Sequence, residues 1–146
     1  MGGKEPSRFV ILTIAMILLG SLGWAQDVTI VVNSGLSISG ITETELRDIF
    51  IGVRSRFDDG TRAVPVLLKG GPVHEVFLYR HIRETPDEFR ARWRRAVFTG
   101  QGSMPKELSS ESDVLHYVEA TPGAIGYVSR RPDRTTIKIL TIADQR

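Results

Sequence analysis

The sequence predicts an α/β domain in which a small mixed sheet is flanked by helices. Three apolar runs have the composition and length of buried strands: Val28–Val32, Ala63–Leu68 and Ala124–Val128. Helical patterns separate these runs, so that strands and helices alternate along the chain. The octapeptide Thr121–Val128, TPGAIGYV, favours this fold class most strongly, because Pro122 and Gly123 stop a helix directly before an apolar strand.

Local signals indicate where the helices begin. Thr42–Glu45 and Thr85–Glu88 both match a capping box, in which the Thr and Glu side chains bond to free backbone N–H groups of the first turn. Pro72 is expected at the first position of another helix, since its missing N–H costs nothing there. Ser109 or Ser110 is expected to cap the helix that precedes the octapeptide.

The remaining segments complete a predicted order of β-α-β-α-α-α-β-β. Gly52 is expected to end the first helix, Phe98–Lys106 is predicted to be a loop, and Thr136–Ile142 is predicted to form a final strand. Gly126 lies inside the octapeptide strand and leaves room for close approach by a neighbouring element or by a ligand. No repeat or internal linker interrupts the pattern, which indicates one domain.

The first residues have the pattern of a targeting segment. Lys4 and Arg8 precede the apolar stretch Phe9–Leu22, and Gly23-Trp24-Ala25 ends in a small residue. This predicts a signal peptide, residues 1–25, that is cleaved after Ala25 and leaves an exported, periplasmic domain of residues 26–146 without stable membrane insertion. A retained membrane anchor is the alternative, although the stretch is shorter than the roughly 20 residues that a spanning helix needs.

Composition and charge exclude several classes of function. The sequence contains no cysteine, which excludes disulfides, thiol chemistry and a lipid anchor on a cysteine. The formal net charge of +2 falls to +1 without the targeting segment, which argues against nucleic acid as a partner. The arginines between Arg80 and Arg95 are interpreted as a solvated helix surface, because carboxylates in the same span offset half of their charge: Glu84, Asp87 and Glu88.

No pattern of catalytic or metal-binding residues stands out. His74 and His81 are seven positions apart on one predicted helix, whereas two metal ligands on a helix lie three or four positions apart. We therefore interpret both as partly exposed helical histidines. Ser103 lies in GQGSM, which does not match the G-x-S-x-G elbow of a serine nucleophile. The sequence thus predicts no enzyme, no metal ligand and no cofactor.

The junction between the second strand and the helix after it is the best candidate for a ligand site. Free N–H groups at a helix start bind oxyanions, and Lys69 adds a positive charge, whereas Pro72 removes one donor. The predicted ligand-binding residues are Lys69, Gly70, Gly71, Val73 and His74, with Ser34 and Ser103 as contributors from two other loops. The alternative is an ordinary strand-to-helix turn that binds nothing.

Four segments follow one another in a recognisable order: Glu45–Val66, which contains ELRDIFIGV and ends in the P-V strand, then Lys69–Leu78 (KGGPVHEVFL), Phe98–Leu108 (FTGQGSMPKEL) and Thr121–Val128. Together they resemble the substrate-binding proteins of phosphate ABC transporters, the PstS-like, type 2 periplasmic binding protein family. The resemblance extends over nearly all of residues 26–146. It implies one lobe, the second, of the two lobes that enclose a ligand in that family.

The resemblance also implies a phosphate site, from which this sequence departs. The family offers phosphate an arginine and a Ser-Gly-Thr turn at a helix start, and that turn falls on Gly71-Pro72-Val73. Both hydroxyls are missing here, and only Lys69 is placed to supply the charge, as a point charge rather than a planar fork. Tight phosphate binding by this chain alone is therefore not expected.

Two hypotheses follow. The first is an exported solute-binding domain, linked to phosphate-type ABC transport, that binds phosphate or another small oxyanion weakly. The second is a periplasmic protein-interaction module that has lost ligand binding, with a permease, a sensor or a second subunit as its partner.

Overall fold

The computed structural model describes residues 27–143. The predicted signal peptide, residues 1–25, lies outside this range. The strands are β1 Thr29–Asn33, β2 Gly40–Thr42, β3 Val64–Leu68, β4 Lys106–Leu108, β5 Ala124–Val128, β6 Ile137–Ile139 and β7 Thr141–Ala143. The helices are α1 Glu43–Phe50, α2 Pro72–Phe77, α3 Pro86–Phe98 and α4 Glu111–Ala120. None of these helices is long and apolar enough to cross a membrane.

A five-stranded mixed sheet of order β4-β3-β5-β1-β6 forms the centre of the domain. β3 runs parallel to β4 and β5, whereas β1 runs antiparallel to β5 and β6. The carboxyl ends of β3, β4 and β5 therefore share one edge of the sheet, which we call the carboxyl edge, and β1 ends at the opposite edge. β2 and β7 pair in parallel as a separate two-stranded ribbon.

The helix starts follow the local signals in the sequence. The Thr42 side chain accepts a hydrogen bond from the Glu45 N–H and the Thr85 side chain accepts one from the Glu88 N–H, so both predicted capping boxes are confirmed. Ser110 caps α4. α2 begins with Pro72 and continues directly into a π-helical turn, Leu78–Ile82.

Helices cover both faces of the sheet. On one face, Gly126 of β5 lies against α4, since a Cβ there would be 2.8 Å from Val114 Cγ1. On the other face, Tyr127 stacks on Phe77 of α2 with 3.8 Å between ring centroids, and Phe50 of α1 meets Phe77 edge-on at 4.8 Å. The three aromatic rings are fully buried. The close approach expected at Gly126 is confirmed, and side chains of α4 and β3 occupy it rather than a ligand.

The observed order differs from the predicted one at three short strands. β2 and β4 were not expected, and Lys106, predicted as loop, begins β4. Two of the three residues of β4 are exposed, so the strand has no apolar pattern and is stabilised by backbone pairing with β3. The predicted strand Thr136–Ile142 divides at the buried Leu140, because β6 pairs with β1 and β7 pairs with β2.

Candidate functional site

Two chain segments leave the sheet side by side at the carboxyl edge. Lys69 follows β3 and leads through two glycines into α2, and Ser129 follows β5. Because β3 and β5 are parallel neighbours, the two segments start next to each other. Open α/β sheets bind ligands outside the carboxyl ends of their strands. A ligand site is therefore expected at the carboxyl edge.

The turn between β3 and α2 is open to solvent. A Cβ at Gly70 or Gly71 would meet no heavy atom within 4 Å, and Gly71 has a φ of +93°, which favours glycine. The backbone N–H of Lys69 donates to the Leu108 carbonyl at 2.9 Å, which ties the start of the turn to β4. The Lys69 side chain is exposed. A small ion can thus approach the backbone of this turn without a steric barrier.

A buried hydrogen-bonded group lies beneath the turn. The Tyr127 hydroxyl accepts a hydrogen bond from the Leu68 N–H at 3.0 Å and lies 2.6 Å from His74 Nδ1. Among the described residues Nδ1 is the only acceptor within reach of the hydroxyl proton, so the hydroxyl is assigned as the donor to Nδ1 and the imidazole proton is assigned to Nε2. His74 is only 7% exposed, so the prediction that it is a partly exposed helical histidine is wrong.

The surroundings of this group keep it uncharged. Burial lowers the pKa of His74 below its ordinary value of 6.5, and the positive charge of Arg90 lowers it further. Burial also raises the pKa of Tyr127 well above its ordinary value of 10. At neutral pH the third residue of α2 is therefore a neutral imidazole. Its Nε2–H has no partner among residues 27–143 and is free to donate.

The structure brings five of the predicted site residues together. Lys69, Gly70, Gly71, Val73 and His74 form one continuous turn at the carboxyl edge. The side chain of Val73 is buried in the core, so that only its backbone N–H is available to a ligand.

Ser34 and Ser103 do not lie with this turn. Ser34 follows β1, which runs antiparallel to β5, so it leaves the sheet at the edge opposite to Lys69. Ser103 precedes the amino end of β4, whereas Lys69 follows the carboxyl end of the parallel β3. Both serines are exposed, and both are separated from the turn by the length of a strand.

Two cationic residues at the carboxyl edge were not predicted from the sequence. Arg130 and Arg131 follow β5, and both are exposed. The Ser129 hydroxyl and backbone N–H both donate to the carboxylate of Glu111, at 2.9 and 3.1 Å, which fixes the start of this segment against α4. The signal was present in the sequence, because the arginines directly follow the octapeptide strand, but their position at the same end of the sheet as Lys69 depends on the parallel pairing of β3 with β5.

The arrangement suits the binding of an anion. Lys69, Arg130 and Arg131 place positive charge at the carboxyl edge, and the first turn of α2 presents free backbone N–H groups there. Between residues 27 and 143 no three His, Asp or Glu side chains are grouped closely enough to hold a metal ion.

Three solved structures share the fold of this domain. A chain from Clostridium perfringens, assigned as a phosphate ABC transporter substrate-binding protein and crystallised with bound phosphate, is 12% identical with a TM-score of 0.63. An ABC-type phosphate transport receptor from Vibrio cholerae is 14% identical with a TM-score of 0.54, and PstS from Borrelia burgdorferi is 16% identical with a TM-score of 0.57.

These likenesses define the fold. Each covers 79% of this chain but only 44%, 45% and 46%, respectively, of the other chains, so the chain spans less than half the length of these receptors. No family model and no curated protein matches the sequence. The domain has the fold of one lobe of a PstS-type periplasmic binding protein.

Proposed function

We propose that this chain is an exported, PstS-like solute-binding domain that holds a small oxyanion such as phosphate weakly at the carboxyl edge and serves phosphate-type ABC transport. The activity is binding and not catalysis. One observation carries the proposal. The open turn Lys69–His74 starts a helix at the same end of the sheet as the exposed Arg130 and Arg131, on a lobe fold that is shared with a substrate-binding protein crystallised with phosphate.

The turn supplies few strong donors, which sets the expected affinity. Pro72 offers no N–H, and Gly71 and Val73 offer no hydroxyl groups, so the contacts reduce to backbone N–H groups, the Lys69 ammonium and the Nε2–H of His74. A dry, fully enclosed phosphate needs most of its oxygens satisfied. An anion on this open edge keeps part of its hydration shell instead, which is compatible with weak binding.

Calorimetric titration with inorganic phosphate tests the proposal. We expect a dissociation constant in the millimolar range for the wild-type domain. Lys69→Ala is expected to weaken binding by about tenfold or more, because a hydrogen bond to a charged group contributes about 1.5–3 kcal/mol. Lys106→Ala is the matched control, since Lys106 is also an exposed lysine but lies in β4 against the Tyr117 ring.

Each outcome of the titration has one meaning. Binding that falls in Lys69→Ala and persists in Lys106→Ala supports a site at the turn. Absence of any heat of binding at high phosphate, with ionic strength held constant by chloride, contradicts the proposed function. Equal binding by all three proteins moves the site away from Lys69 and contradicts the proposed location.

A further inference from the structure

The last turn of α3 presents an apolar surface to solvent. Phe98 is 93% exposed and Val97 is 50% exposed. Together with Trp93, Arg94 and the half-buried Met104, they line a shallow groove of about 460 Å³, which we call the α3 groove. Met104 precedes the amino end of β4, so the groove lies away from the carboxyl edge. A contiguous apolar surface of this kind marks an interaction site more often than scattered single residues do.

The floor of the groove is held in place by its neighbours. Trp93 is 5% exposed, and its Nε1–H donates to the Phe50 carbonyl at 3.2 Å. A Cβ at Gly52 would lie 2.7 Å from Trp93 Cη2, and one at Gly102 would lie 3.4 Å from Cζ3, so two glycines make room for the indole. A floor that is fixed before binding loses little conformational entropy when a partner docks.

The rim of the groove is positively charged. Arg94 lines the groove and precedes Val97 and Phe98 by three and four positions, which places all three on one side of α3. In the part of the chain that the structure describes, neither Arg94 nor its neighbour Arg95 has a carboxylate within ion-pair distance. Arg90, one turn earlier, has a single long contact of 3.7 Å with the exposed Asp87.

We propose that the α3 groove docks a partner protein through a segment in which an apolar side chain is flanked by carboxylates. The apolar side chain packs on Trp93 beside Phe98, and the carboxylates pair with Arg94 and its neighbours. Interfaces combine buried aromatic and arginine anchors with complementary charge in this way. The proposal concerns protein interaction, as the second hypothesis from the sequence does, but it is independent of the anion site and does not require that ligand binding has been lost.

Charge or shape disfavours three other occupants: a second copy of this chain, the apolar stretch Phe9–Leu22 and a lipid surface. A second copy of this chain in a symmetric dimer would place the same arginines of both copies against each other. The apolar stretch Phe9–Leu22 contains no carboxylate and follows Lys4 and Arg8. A lipid surface would accept the protruding Phe98 but would leave the concave floor at Trp93 without a complementary shape.

Selection from a random peptide library tests the proposal. Peptides displayed on phage are selected on the wild-type protein after subtraction on Phe98→Ser, a variant that should fold normally because the side chain is exposed. We expect enrichment of sequences with an aromatic or aliphatic residue between Asp or Glu residues. A synthetic peptide of the enriched sequence should bind about tenfold more weakly to Arg94→Glu and to Phe98→Ser than to wild type.

Matched variants and competing probes complete the test. Tyr79→Ser, at a residue that is 78% exposed elsewhere, and Arg131→Glu should leave peptide binding unchanged, as should Lys69→Ala. The proposal is overturned by no enrichment, by an enriched sequence without acidic residues, or by equal losses in the control variants. The proposal is also overturned if the wild-type protein uses the groove for another occupant. That occupant would be a second copy seen in sedimentation, a phosphatidylglycerol vesicle, or a peptide spanning residues 9–22 that binds more tightly than the enriched peptide. In each case Phe98→Ser would abolish the interaction.

Discussion

A single hydroxyl, that of Tyr127, satisfies two buried polar groups, one at each end of the turn between β3 and α2. It accepts from the Leu68 N–H and donates to His74 Nδ1, while the ring below it is stacked on Phe77. Leu68 ends the strand and His74 lies in the first turn of the helix after it, so the hydroxyl braces both ends of the candidate anion-binding turn. The turn therefore keeps its shape through a residue that is fully buried beneath it.

Removing this hydroxyl should destabilise the domain measurably. Tyr127→Phe leaves the Leu68 N–H and His74 Nδ1 without partners in a buried place, and an unsatisfied buried group costs about 1–3 kcal/mol. We expect a loss of that size in the free energy of unfolding, measured by urea denaturation. Tyr79→Phe, which removes the hydroxyl of a tyrosine that is 78% exposed, is the control and should stay within about 0.5 kcal/mol of wild type. Equal stability of the two variants would contradict the role assigned to Tyr127.

Sequence reasoning reached His74 as a candidate ligand residue but not as a buried one. Its partner, Tyr127, is 53 positions away, and their contact depends on the packing of α2 across β3 and β5. Position within a helix start is local information, which a sequence carries. Which residue a side chain contacts across a sheet, and whether that side chain is buried, depend on distant parts of the chain and are not evident from the local sequence.

At the scale of one element, the octapeptide Thr121–Val128 carries two glycines with different tasks. Gly123 has a φ of +75°, and a Cβ there would lie 2.1 Å from the Arg62 carbonyl oxygen. Gly126 has no such φ but is closed in by side chains, with Val114 Cγ1 at 2.8 Å and Val66 Cγ2 at 3.0 Å from a Cβ position. The first glycine permits the turn, and the second sets the distance between α4 and the sheet.

Adding one methyl group at Gly126 should therefore separate α4 from β5. Overpacking of a core costs about 1–3 kcal/mol, and we expect Gly126→Ala to lower the free energy of unfolding by that amount. In the double variant with Val114→Ala, the loss should be smaller than the sum of the two single losses, because the removed methyl groups make room for the added one. Gly70→Ala serves as control, since a Cβ at Gly70 meets nothing within 4 Å. Strictly additive losses would show that the two residues do not compete for space.

The elements with local signals are those that the sequence predicts well. Both capping boxes, the proline at the start of α2 and the strand Ala124–Val128 were placed correctly because each depends on neighbouring residues. β2 and β4 depend on a partner strand elsewhere in the chain, and each is only three residues long, too short to show an apolar alternation of its own. These two strands, and the division of Thr136–Ile142 into β6 and β7, could not be found without the pairing.

At the scale of the whole molecule, acid should destabilise the domain through a buried histidine and through carboxylates. Because the pKa of His74 is lowered in the folded state, the unfolded chain takes up this proton first, near pH 6.5, and stability falls as the pH decreases towards the folded value. Asp59 and Glu119 have lowered pKa values in the folded state, so each carboxylate stabilises the fold while it is ionised. That stabilisation is lost at lower pH, as the carboxylates are protonated in the folded state.

A substitution at His74 should remove the contribution that begins near pH 6.5. Urea denaturation of His74→Gln, which keeps a hydrogen-bonding side chain beside Tyr127, is expected to give a nearly constant free energy of unfolding between about pH 7 and pH 5, where wild type declines. His116→Gln, at an exposed histidine, should decline as wild type does. If His74→Gln keeps the wild-type decline, another group is responsible for it.

The lobe as a whole was predicted from the resemblance and the turn Lys69–His74 from local residues, whereas the other residues at the carboxyl edge were not predicted. The ordered segments pointed to one lobe of a phosphate-receptor fold, which the three solved structures share. The grouping of Arg130 with Lys69, and the separation of Ser34 from both, follow from the direction of β1 relative to β5. Strand direction is decided by the packing of the complete sheet and leaves no mark on a single segment.

The central position of β1 has a consequence for biosynthesis. β1 is among the first described segments to be made, yet it pairs with β5, which contains Val128, and with β6, which contains Ile139. A nascent chain cannot close this sheet until those residues have left the ribosome, and long-range pairing of this kind slows folding. The emerging polypeptide therefore cannot complete the central sheet until most of residues 27–143 have been made.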